Sequence, residues 1–232
     1  MPTDGIYTDV NVETGMAGEK QLDRAAIEDA FDAIGNLAAE RGIILDMAIY
    51  GGSCLVLASD IRQSSEDVDA VYLNQQDKAR DVVEAVTRRR QLPPEWLNQA
   101  AKQFAPPRGN PAPNLLQFRD YPRDGSGIGL RIFTPTPEYL LAMKILANRA
   151  DDDEKNLTDS SDALSLMAVT GIDTFDKIVD LMRQCYPNIP GIVAPLVSTR
   201  MKLKIQGLVD DYNATSREQP TWNAGRGGPL AP

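Results

Sequence analysis

Histidine is absent from this 232-residue chain, so no His–Ser or His–Cys nucleophile pair and no imidazole metal ligand is available. Cysteine is nearly absent as well: Cys54 and Cys185 are the only two, each in an apolar setting. That excludes a disulfide scaffold and reads as two buried, reduced thiols of a cytoplasmic protein. No stretch approaches the roughly 18 apolar residues that cross a bilayer. The N-terminus lacks a basic region followed by an apolar run, so neither secretion nor a membrane partner is expected. Positive charge is in deficit, with a formal net charge of −9, which opposes a generic nucleic-acid coat because such coats need clustered cations to release counterions. A local RNA contact is compatible with Lys78, Arg80, Arg88, Arg89 and Arg90 on or beside one helix, and with Arg108, Arg119, Arg123 and Arg131 after it. Singly, each reads as a solvated surface cation. Chemistry in this chain must rest on carboxylates, lysine, hydroxyls and a bound metal.

What is present is concentrated in Tyr50–Tyr72, YGGSCLVLASDIRQSSEDVDAVY. Ile43–Tyr50 is an apolar strand that runs into Gly51-Gly52, and Ser53 begins a short helix to Ser59 whose free backbone N–H groups suit an anion. A strand over Asp67–Leu73 follows. On a strand, side chains alternate with period two, so Asp67 and Asp69 share a face. Paired carboxylates are hard oxygen ligands of the kind that hold Mg²⁺ together with substrate phosphates. Separately, a glycine pair is an ordinary turn and Asp-x-Asp an ordinary strand edge; their order and spacing give them meaning.

The order strand, Gly-Gly-Ser, then Asp67-Val68-Asp69 resembles the signature of the nucleotidyltransferase superfamily, the polymerase-beta-like fold. Arg62, Ser64 and Ser65 resemble the Arg-x-Ser/Thr-x-Asp-x-Asp variant of bacterial nucleotidyltransferases in toxin–antitoxin and abortive-infection systems. Residues Thr136–Asp159, TPEYLLAMKILANRADDDEKNLTD, are similar to that subgroup's helical segment, in which a lysine-bearing helix precedes an Asp-rich turn. The resemblance covers about half of the chain, residues 43–73 and 129–186, and motifs of this length need their strand–turn–helix context. It implies an NTP substrate, with Gly51, Gly52, Ser53, Arg62, Ser65 and Asp159 binding the nucleotide. Two Mg²⁺ ions are implied on Asp67 and Asp69, and Lys144 and Asp159 align with the lysine and aspartate of the toxin-type helical segment. Many members carry a third carboxylate on a later strand. Here Asp120, at the end of a strand over Asn114–Phe118 expected beside the Asp67–Leu73 strand, is the candidate third metal ligand and catalytic carboxylate.

Along the rest of the chain, residues 1–20 are polar and read as a flexible arm. Leu22–Arg41 places Leu22, Ala26, Ile27, Ala30, Phe31, Ile34, Leu37 and Ala38 at helical spacing, with Gly42 as its stop. Helices follow from Asn74 to Gln91 and over Glu95–Phe104, then a loop over Ala105–Pro113 rich in proline and glycine. Strands over Asn114–Phe118 and Gly129–Thr134 flank a turn at Tyr121–Gly127. Beyond them the pattern is wholly helical: Pro137–Arg149, Asn156–Thr170, Thr174–Tyr186 and Ile192–Asn213. Strands and helices first, helices afterwards, predict an α+β fold: a nucleotidyltransferase-like mixed sheet flanked by helices over residues 21–134, then a helical C-terminal subdomain over 135–213. The Gly/Pro-rich tail, 214–232, reads as disordered.

Three function classes follow. The first is transfer of a nucleotide from NTP–Mg²⁺ to a hydroxyl on tRNA or a protein, by the toxin of a toxin–antitoxin or phage-defence pair with a cognate antitoxin as partner. The second is modification of a small molecule of the aminoglycoside type. The third is a non-catalytic antitoxin or regulatory partner on the same fold, the reading that applies if the third carboxylate is missing. An acidic pocket wall favours a cationic drug, and a basic stripe leading to Asp67 and Asp69 favours RNA.

Overall fold

A computed structural model describes residues 21–105, 114–147, 153–189, 191, 197–215 and 220–223. The expected arm over residues 1–20 and most of the expected loop over 105–113 lie outside them. Among the described residues the chain is α+β, with seven α-helices, a mixed five-stranded sheet and a two-stranded one. After β1 (Leu22–Asp23) comes α1 (Arg24–Glu40), whose first turn is capped by Asp23 accepting from the Ala26 N–H at 2.8 Å. Its apolar positions Ile27, Phe31, Ile34 and Ala38 are fully buried, as the 3.6-residue period requires. β2 (Leu45–Tyr50) leads into α2 (Gly51–Ala58), in which Ser53 through Ala58 are all buried. A helix this apolar on every side can only be an interior one. Its last carbonyls are closed by Arg24, which donates to Val56 O and Ser59 O at 3.1 Å each.

Next come β3 (Ser64–Ser65), β4 (Val68–Tyr72), α3 (Gln76–Arg90) and β5 (Leu97–Asn98). Two strands follow, β6 (Leu115–Tyr121) and β7 (Leu130–Pro135). The main sheet runs β5-β4-β2-β7-β6, with β2 antiparallel to β4 and parallel to β7. β1 and β3 form the small second sheet, pairing Leu22 with Ser65 and Asp23 with Ser64.

Two expectations are corrected here. The segment 95–104 is not one helix: it divides into β5 and a short 3-10 helix over Ala100–Gln103, because Leu97 and Asn98 pair with Val68 and Asp69 of β4. The strand carrying Asp120 does not lie beside β4. It is the opposite edge of the sheet, separated from β4 by β2 and β7.

The helical portion consists of α4 (Pro137–Ala147), α5 (Asp153–Thr170), α6 (Phe175–Cys185) and α7 (Thr199–Ala214). The last begins later than the expected Ile192, and residues 192–196 are not described. Thr174 and Ser198 cap α6 and α7 through their side chains. One continuous apolar cluster runs from Leu22 through the sheet to Leu208 and Val209 of α7, so sheet and helices share a core. The C-terminal stretch departs from the expected disorder at 220–223: Asn223 N–H donates to Ala58 O at 2.7 Å, Thr221 bonds Asp60 through N–H and hydroxyl, and Trp222 forms a bridge with Ser59. No described helix is long and apolar enough to cross a membrane.

Candidate functional site

The sheet register brings the two halves of the sequence motif together. Tyr50, the last residue of β2, pairs with Asp69 of β4, so the carboxylate of Asp69 stands beside the turn from β2 into α2. Gly51 makes that turn with φ of +62°, and a Cβ there would fall on the Asp69 carboxylate. Backbone conformation and space therefore both demand glycine. At Gly52 a Cβ would come 2.7 Å from Arg62 Nη1 and 2.9 Å from Ser65 Oγ. The glycine pair is thus ringed by Asp69, Arg62 and Ser65. No side chain caps the first turn of α2, which leaves its amides to be satisfied from outside. Ser53 is fully buried and its hydroxyl donates to Tyr50 O at 3.0 Å, so this hydroxyl braces the turn from within.

Asp67 lies one residue before β4 and accepts from Asn98 Nδ2 at 2.6 Å. The Asp69 carboxyl is pushed up to about 6, first by burial and next by the charge of Asp67; Lys144 and the Ala101 backbone N–H oppose the rise, and Asp159 adds to it. A carboxylate kept from water and pressed by a neighbouring carboxylate is short of positive charge. Among the described residues no group of three or more Asp, Glu or Cys is placed to hold a metal. The donor set is therefore two carboxylates, which fits Mg²⁺, an ion that keeps several waters and binds through one or two protein carboxylates plus phosphate oxygens.

Lys144 and Asp159 come to the same place from the helical portion. Lys144 is only 8% exposed and its ammonium contacts Asp159 at 2.6 Å and Asp162 at 2.8 Å. Asp162 also takes a forked bond from Arg62, Nε at 2.9 Å and Nη2 at 2.7 Å. Two cations and two anions thus tie the loop between α2 and β3 to α4 and α5. Two nitrogens of the Arg62 fork are committed to Asp162, and Nη1 is the one facing Gly52. A second lysine reaches this network from α7: Lys204 is pushed down to about 8 by burial and by Arg200, and Asp159 opposes the shift.

Asp120 is not part of this assembly. It pairs with Arg131 of β7, which pairs with Asp46 of β2, and it accepts from Gln117 at 2.8 Å. Three interstrand spacings, plus the four residues from Asp46 to Tyr50, put it about 20 Å from Asp69 at about 4.8 Å per strand and 3.3 Å per residue. The arginines that would have made an RNA stripe from this side are ion-paired. Arg119 bonds Glu28, Arg123 bonds Glu28, Asp29 and Asp32, and Arg131 bonds Asp46.

Residues that sequence reasoning passed over are Asp162, Asn98 and Lys204. Asp162 had a signal: Asp159-x-x-Asp162 is the spacing that puts two carboxylates on one helix face. Asn98 and Lys204 had none, since only sheet pairing and helix packing carry them to the site. Compared with protein-family models, curated proteins and solved structures, the chain finds no match in any of the three.

Proposed function

We propose that this chain is a metal-dependent nucleotidyltransferase of the polymerase-beta-like type, the toxin of a toxin–antitoxin or phage-defence pair. It moves a nucleotide from an NTP to a hydroxyl on tRNA or protein. The observation that carries the reading is the register of Tyr50 with Asp69, which sets a desolvated carboxylate against Gly51 at the uncapped start of α2. The triphosphate lies at the start of α2, where no side chain caps the first-turn amides and they are free to bond phosphate oxygens. Arg62 Nη1, already over Gly52, and the buried Lys144 add positive charge on the helical side. Asp67 and Asp69 hold the divalent cation, which supplies charge neutralisation for in-line displacement. As the acceptor oxygen bonds to the α-phosphorus, the bond to pyrophosphate breaks and the hydroxyl proton leaves to solvent.

A second reading, a nucleotide-binding antitoxin or regulatory partner without transfer activity, draws on the absence of a third acid at the pair among the described residues. One experiment separates the two. The purified chain is incubated with each α-labelled NTP, Mg²⁺ and total RNA, total protein or an aminoglycoside. Label appearing in RNA or protein with the wild type and not with Asp67→Asn supports the enzyme. NTP binding with no labelled acceptor supports the partner reading, and label in the aminoglycoside makes the protein a small-molecule transferase.

A further inference from the structure

Asp67 lies outside the β4 ladder, one residue before Val68, so its side-chain direction needs another constraint. That constraint comes from β5. Asn98 pairs with Asp69 across the parallel β4–β5 contact, and its Nδ2 donates to Asp67 Oδ2 at 2.6 Å. The other end of the same amide accepts the Ala100 N–H at 2.8 Å. This second bond settles which way the amide faces: with its oxygen engaged by a backbone donor, only the NH₂ end is left to meet a carboxylate. The next backbone N–H, that of Ala101, faces the Asp69 carboxyl. The segment from Asn98 to Ala101 therefore braces both acids. An aspartate at this position would set a third negative charge against the pair, whereas asparagine offers a neutral donor of the same shape.

We propose that Asn98 is a positioning residue for the divalent-cation site, an inference that rests on reading Asp67 and Asp69 as cation ligands. By engaging Oδ2, Asn98 leaves Oδ1 as the cation-facing atom of Asp67 and holds the carboxylate plane against rotation. Groups that hydrogen-bond a ligating carboxylate typically change metal affinity about 10- to 100-fold when removed.

The test is a Mn²⁺ titration of the full chain without nucleotide, followed by loss of the free-ion electron paramagnetic resonance signal, with melting temperature read in parallel. Wild type, Asn98→Ala and Asn98→Ser are compared. Serine keeps an acceptor for the Ala100 N–H and is too short to reach Asp67, so it retains the turn and removes the brace. Both variants are expected to bind Mn²⁺ about 10-fold more weakly than wild type, with Asn98→Ser melting close to wild type. Wild-type affinity in Asn98→Ser would overturn the inference, because it would assign Asn98 to the turn alone; if Asn98→Ala fails to fold, this arm still decides. No Mn²⁺ binding by wild type would overturn the cation reading itself, a failure visible before any variant is compared.

Discussion

Asp69→Asn should make the cation-free protein more stable while removing the proposed cation site. Burial and the Asp67 charge lift the Asp69 carboxyl from 3.8 to about 6, and each pH unit is worth 1.36 kcal/mol, so holding it ionised costs the folded state about 3 kcal/mol at neutral pH. Asparagine removes that cost, keeps an oxygen for the Ala101 N–H and turns an NH₂ donor toward Asp67. The sign follows from proton binding. With the folded value raised, the folded state binds the proton more tightly than the unfolded chain, so wild-type stability falls as pH rises from about 4 to about 6 and is level above. Urea unfolding in EDTA, followed by far-ultraviolet circular dichroism, should find Asp69→Asn ahead by up to about 3 kcal/mol at pH 7.5. At pH 5 about half of that advantage should remain. Saturating Mg²⁺ should then stabilise wild type alone, by about 2.7 kcal/mol at one hundred times the dissociation constant. A variant less stable than wild type in EDTA, or a difference unchanged between pH 5 and pH 7.5, would refute the electrostatic account of Asp69.

Gly51→Ala should lose about 1–2 kcal/mol in the same unfolding assay and abolish Mn²⁺ binding, since alanine must take a positive φ and its methyl group displaces the Asp69 carboxylate. Lys144→Met breaks a buried ion-pair network and leaves Asp159 and Asp162 without one cation, for an expected loss of about 3 kcal/mol. Combined with Arg62→Met, the effect should be non-additive, because both cations meet at Asp162; additive losses in a double-mutant cycle would count against a single network. Asp120→Ala should leave Mn²⁺ affinity and any nucleotide transfer unchanged, and a tenfold loss of either would return that edge of the sheet to the site.

The residues of the site were legible where chemistry is local. A glycine pair at a strand end, two acids one residue apart and a helix-borne lysine are patterns within short windows, and the structure gathers Gly51, Gly52, Arg62, Ser65, Asp67, Asp69, Lys144 and Asp159 into one region. Hydrophobic periodicity placed most helices and strands within a few residues, because burial on one face imposes its period on the sequence. Strand order was not legible. The expectation of Asp120 near the pair requires its strand to neighbour β4, and no local pattern records that β2 and β7 intervene. Nor did residues 95–104 announce a strand, since two residues are too few to alternate and only pairing with β4 defines β5.

Residue composition and order set which groups are available: carboxylates, lysines and hydroxyls without histidine, and apolar faces that must be covered. Tertiary structure decided which of them meet and in what state. Asp69 is an ordinary carboxyl in the chain and becomes a raised one only when the pairing of β2 with β4 buries it beside Asp67. Asn98 acquires its partner only through the β4–β5 register. The physical reason is that desolvation and Coulomb energy depend on distances between groups far apart along the chain, which folding alone sets.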